Sequence, residues 1–168
     1  MTSKPLTRWR LILLCCSLLL VSATTQADER PQPGMVAAAH PLATAAGVEM
    51  LEAGGAAIDA AIAIQAVLTL VEPQSSGIGG GAFLLYYDDA TAEVQAYDGR
   101  ETAPSAVEAD HFLTEDGTPM GFLEAVPGGQ SVGVPGTLRM LELAHEEHGR
   151  LPWKTLFQPA IGLAEKGF

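Results

Sequence analysis

The run Ala57 to Glu72, AIDAAIAIQAVLTLVE, constrains this chain more than any other stretch. Its spacing suits a helix, but instead of one apolar stripe it is apolar almost all round, with Asp59 and Gln65 the main interruptions. A helix of that kind must be buried on most of its faces. The chain around it therefore has to supply a substantial core, and 48% hydrophobic residues are enough to do so. The helix stops at Pro73, and a glycine-rich loop, EPQSSGIGGGAF (Glu72 to Phe83), follows.

The flanking sequence reads as further helices and a hairpin. PLATAAGVEMLEAGG (Pro41 to Gly55) places Leu42, Ala45, Ala46, Met50 and Leu51 at helical spacing. Pro41 suits its first turn and Gly54-Gly55 its C-terminal stop. Met35 to Ala39 is expected to form a short buried strand. After the glycine loop, FLLYYD (Phe83 to Asp88) and VQAYDGRE (Val94 to Glu101) are strand-like runs joined by a polar turn, which predicts a β-hairpin. Ser105 to Leu113 is expected to be a short helix, and VPGGQSVGVPGTL a loop. Thr137 to Gly149 is helical, with Thr137 as N-cap and Gly149 as stop. Pro152 opens a last helical stretch, interrupted by Pro159 and capped by Gly167. There is no internal repeat.

Residues 1–27 read as an export signal. Lys4, Arg8 and Arg10 precede the apolar run Leu11 to Ser22, and TTQA offers a cleavage site after Ala27. The apolar run is short of the roughly 20 residues a membrane span needs, so no stable span is expected after cleavage. Residues 28–168 carry all twenty acidic residues but only six of the nine basic ones, a formal charge of −14. Such a balance argues against a nucleic-acid partner, which calls for clustered Lys and Arg. Both cysteines, Cys15 and Cys16, leave with the signal, removing disulfide, thiolate and Cys-metal chemistry.

Several residues invite chemical readings. Gly77 to Ala82 spells G-x-G-x-x-G/A, yet a dinucleotide loop needs a strand before it and a helix after it, and here the order is reversed. The glycines instead suit close backbone approach or positive φ. Ser75 and Ser76 lack the G-x-S-x-G elbow. His145 and His148 are three apart rather than four, with no third ligand evident, and are expected on the solvated face of their helix; no metal or cofactor is expected. His40 and His111 have no obvious partner. Arg100 stands apart, at the end of a strand beside Gly99 in a chain poor in basic residues. A planar guanidinium on rigid backbone suits carboxylate binding; the alternative is an ordinary ion pair with Asp98 or Glu101.

Read in order, GMVAAAHPLATAAGVEMLEAGGAAIDAAIAIQAVLTLVEPQSSGIGGGAFLLYYD, DGRETAP, SVGVPGTL and LPWKTLFQPAIGLAEKGF resemble the gamma-glutamyltranspeptidase family over nearly all of residues 34–168. One departure is Ala56, where many members have Asn. The resemblance implies an α+β protein, the N-terminal portion of a four-layer αββα N-terminal nucleophile hydrolase fold. Residues 28–168 would form the first segment of the large subunit, paired with the small subunit of the same precursor. The implied substrates are glutathione and other γ-glutamyl compounds, in the periplasm or outside the cell. A threonine freed by self-cleavage acts in the family as nucleophile, with its own α-amine as base. Thr102, Thr118 and Thr137 match nothing in that motif, so no catalytic residue is assigned within this chain, which by itself is expected to be inert and poorly soluble. The resemblance makes Arg100, the Arg of Asp-x-Arg-Glu-x-Ala-Pro, the ligand of the substrate α-carboxylate. Alternatives are a related cephalosporin-type acylase and a non-catalytic exported module that binds a small carboxylate.

Overall fold

A computed structural model describes residues 34–168. The signal segment and the start of the polar leader lie outside the described residues. Helix α1 (Pro41–Glu52) begins at His40, whose Nδ1 accepts the Leu42 N–H at 3.2 Å, with Pro41 in the first turn. It ends in a Schellman arrangement: Gly54 N–H donates to Leu51 O, Gly55 N–H to Met50 O, and Gly54 takes φ +87°. Its buried seam is Ala43, Ala46, Gly47 and Met50, whereas Ala45 points outward. Small residues in that seam let helix α2 (Ala57–Val71) come close, and a Cβ on Gly47 would press on Ile64.

Helix α2 is the hub the composition demands. From Ile58 to Glu72 no residue is exposed, and Ile62, Ala63 and Val67 are shut in completely. Helix α3 (Phe122–Ala125) is a single exposed turn. Helix α4 (Thr137–His148) buries Thr137, Met140, Leu141 and Ala144. A 3-10 turn, Trp153–Phe157, leads into α5 (Gln158–Lys166), and both pack on α2. Pro159 sits in the first turn of α5, opening the helix rather than interrupting it, and Gly167 caps it with φ +86°.

Strands β1 (Ala82–Asp88) and β2 (Glu93–Gly99) form an antiparallel hairpin in the register Ala82↔Gly99 to Asp88↔Glu93. Asp88 Oδ1 accepts the Ala90 N–H and Ala92 takes φ 57° to close the turn. Ala82, Leu84, Tyr86, Tyr97 and Gly99 face the helices. Phe83, Leu85, Tyr87 and Val94 stand on the opposite face, more than half exposed. The hairpin is thus covered by helices on one side only.

Two sequence expectations are corrected. Met35–Ala39 is extended, with Val36 and Ala38 turned inward, but no strand pairs with it among the described residues and Met35 is fully out in solvent. Residues 105–113 form consecutive turns (Val107 to Pro104, His111 to Glu108, Leu113 to Asp110) instead of a helix. They bury too little apolar surface to support one. Among the described residues no helix is long and apolar enough to cross a membrane.

Candidate functional site

The glycine loop is fixed at both ends by side chains the sequence leaves unexplained. Gln65, the polar break in α2, donates from Nε2 to Ser76 Oγ at 3.0 Å and to Gly77 O at 3.2 Å. At the other end Gly80 O accepts from Gly136 N–H, Thr137 N–H and the Thr137 hydroxyl. Thr137 therefore ties the loop to α4 instead of capping the helix, whose N-cap is Gly136.

Of the loop glycines, none takes positive φ, and Gly77, Gly79 and Gly80 have nothing near the place of a Cβ. Close approach is concentrated elsewhere. A Cβ on Gly81 would meet Glu101 and come within 2.9 Å of Arg100 Cα; one on Gly99 would come within 2.6 Å of Met140 Cβ; one on Gly136 would strike Gly99 O. Three backbones, those of the loop, the end of β2 and the start of α4, cross where only glycine fits. Arg100 emerges from that crossing.

The Arg100 N–H donates to Asp98 Oδ1 at 2.9 Å, holding the turn, and its Nη1 lies 3.3 Å from Glu101 Oε1. Both acids named as alternative partners are thus in contact with it, Asp98 through the backbone and Glu101 through the side chain. The Arg100 side chain remains 64% exposed, open to a ligand. A cavity of about 200 Å³ starts at the next residue along the chain: its lining includes Glu101, Thr102, Pro104, His111, Phe112 and Ser131, but not Arg100. His111 Nε2 is 2.8 Å from Gln130 O, and Gln130 returns a bond to His111 O, closing one wall. Thr102 pairs with Val134 in an isolated bridge that brings the SVGVPG loop alongside. What suits a small carboxylate is the exposed Arg100 side chain on its rigid backbone.

His145 and His148 are not on the solvated face; their side chains are 17% and 16% exposed. His145 Nε2 is 2.8 Å from Leu151 O and 3.4 Å from Asp59 Oδ1, while the ring packs against Trp153. His148 stacks on Tyr86 at 4.0 Å and lies 2.9 Å from the Tyr97 hydroxyl. The aromatic residues of the hairpin and of the Trp153 turn draw this side of α4 inward. Tyr97 also donates to Glu147 at 2.5 Å, and burial together with that carboxylate pushes its phenol up to about 12. Among the described residues no three His, Cys, Asp or Glu side chains gather as a metal cluster.

Comparison with known proteins agrees with this architecture. The family model described as gamma-glutamyltranspeptidase matches residues 43–168. The glutathione hydrolase proenzyme of Bacillus subtilis is 51% identical over 135 residues, covering 80% of this chain and 23% of the relative. The chain thus spans about a quarter of the length of that curated relative. Gamma-glutamyltranspeptidase from Pseudomonas nitroreducens, solved with L-DON, superposes with a TM-score of 0.75 at 38% identity, covering 82% of this chain and 40% of that one. Cephalosporin acylase from Bacillus halodurans gives 0.61 at 30% identity, covering 86% and 28%. The α+β arrangement of helices on a hairpin is a portion of the αββα fold shared by these N-terminal nucleophile hydrolases. The chain belongs to the gamma-glutamyltranspeptidase family.

Proposed function

We propose that this chain is the N-terminal part of the large subunit of an exported γ-glutamyl transferase and glutathione hydrolase, periplasmic or secreted, in which Arg100 binds the α-carboxylate of the donor. The observation that carries the reading is the open guanidinium of Arg100 on a backbone immobilised by Gly81, Gly99 and Gly136. A carboxylate meeting that fork gains two parallel charge-assisted bonds without having to order the loop beneath. The threonine nucleophile and the groups that hold the acyl-enzyme belong to sequence beyond Phe168 in the same precursor. There the γ-glutamyl group passes from the donor amide to the threonine oxygen, and then to water or an acceptor amine. The proenzyme name of the Bacillus subtilis relative is consistent with such a two-subunit precursor.

The product of the complete gene is expected to release p-nitroaniline from γ-glutamyl-p-nitroanilide. Absence of release, with turnover of a cephalosporin-type amide instead, would assign the acylase reaction; carboxylate binding without turnover of either would assign a binding module. The stronger likeness to gamma-glutamyltranspeptidase than to the acylase supports the first outcome. Arg100→Ala is expected to weaken donor binding by about 2–5 kcal/mol, seen as a raised KM, while self-cleavage proceeds. Equal damage to both would make Arg100 structural.

A further inference from the structure

Glu101 carries a feature that pairing with Arg100 alone does not explain. Its Oε1 lies 3.3 Å from the Arg100 guanidinium, but Oε2 is sealed from solvent and has no hydrogen-bond donor among the described residues. A carboxylate oxygen is not left in that condition without cause. The side chain is lodged between two loops that are far apart in sequence. On one side a Cβ at Gly81 would collide with Oε2; on the other a Cβ at Gly133 would stand 3.0 Å from Cγ and 3.1 Å from Cβ. The Thr102–Val134 bridge holds the second loop in place. Two glycines therefore open a slot that any other residue would narrow, and the slot fixes the direction of the Glu101 carboxylate.

We propose that Glu101 is a positioning residue for Arg100, seated in the Gly81–Gly133 slot so that its charge holds the guanidinium in one orientation before a ligand arrives. Among the described residues Arg100 is its only ion-pair partner, so the half-buried negative charge is balanced there. An arginine head otherwise samples many rotamers, and ordering it on binding costs affinity that a prior tether avoids. Asp98 fixes the Arg100 backbone and Glu101 its head, leaving the remaining N–H groups free for a carboxylate. This inference rests on the reading of Arg100 as the carboxylate-binding residue.

The test uses the complete gene product and two donors, γ-glutamyl-p-nitroanilide and its analogue with the α-carboxylate converted to a carboxamide. Glu101→Ala is expected to raise KM for the carboxylate donor about tenfold, to leave kcat within about twofold, and to leave kcat/KM for the carboxamide analogue unchanged. Glu101→Gln, which fills the slot without the charge, should give a smaller rise in the same direction and an unaltered melting temperature. Gly133→Ala, which crowds Glu101 without touching Arg100, should also raise KM for the carboxylate donor alone. Equal losses on both donors, or an unchanged KM in Glu101→Ala and Glu101→Gln, would overturn the proposal. Arg100→Ala separates the two levels. If it raises KM while the Glu101 variants do not, only the positioning role fails; if Arg100→Ala leaves KM unchanged, the reading of Arg100 fails and the positioning role with it.

Discussion

The interior around Asp59 and the surface around Arg100 treat charge in opposite ways. Asp59 is completely buried at the start of α2, yet its Oδ2 accepts the N–H groups of Ala56, Arg150 and Leu151 at 2.6, 3.0 and 3.3 Å, and His145 stands beside Oδ1. One carboxylate thereby joins α1's exit, α2 and the turn after α4. Arg100 is open to solvent and, among the described residues, tied by one ion pair to its sequence neighbour. The first charge is held through Oδ2 by three backbone N–H groups of this chain, with only His145 beside Oδ1; the second is held in place but left with free donors. If Arg100 binds substrate as proposed, stability and recognition are carried by different regions, and substitutions should separate them.

The largest effect is expected at Asp59. Asp59→Ala strands three backbone donors in the interior and should lower stability by about 3–5 kcal/mol, measured as the shift in urea midpoint of the purified protein. A loss below about 1 kcal/mol would break the contrast, since the interior would then be no more dependent on its charge than the surface. Leu156→Ala should follow closely. Leu156 is fully buried between the 3-10 turn and α2, and truncation leaves a cavity with a cost of about 2–4 kcal/mol.

Tyr97 tests the border between the two regions by pH. Burial, then its bond to Glu147, raises the folded-state phenol from 10.0 to about 12, so the folded protein prefers the neutral form. That contribution is complete below pH 10, where the unfolded phenol is also protonated, and is lost as pH climbs through about 12. The loss amounts to at most about 2–3 kcal/mol. Urea midpoints between pH 9 and 12 should fall more steeply for the parent protein than for Tyr97→Phe; parallel curves would remove Tyr97 from the pH response.

What the sequence could disclose followed from how local each cause is. The burial of α2 was legible because composition alone demands it, and the end of α1 because Gly54 announces a positive-φ stop. The hairpin followed from two strand-like runs joined by a polar turn. Arg100 stood out through scarcity, in a chain with few basic residues. The misreadings depended on distant partners. His145 and His148 look like a solvated pair until Asp59, Trp153, Tyr86 and Tyr97 are brought to them. Met35–Ala39 has strand letters and no neighbouring strand among the described residues. The glycine loop advertised four glycines, but the crossing under Arg100 uses Gly81 with Gly99 and Gly136, and the Glu101 slot adds Gly133. No local pattern shows which glycines will meet.

The smallest effect on stability is expected at Arg100, and it sharpens the contrast most. The guanidinium is well solvated, and its ion pair with Glu101 is of the exposed kind whose net worth is about 0–1 kcal/mol. Arg100→Ala should therefore lower stability, read from the urea midpoint, by no more than about 1 kcal/mol, in the same protein preparation whose donor KM is expected to rise. A substantial loss of stability would mean that Arg100 braces the β2 end as Asp59 braces α2, and the division between a charge tied into the interior and one left open at the surface would no longer hold at this residue.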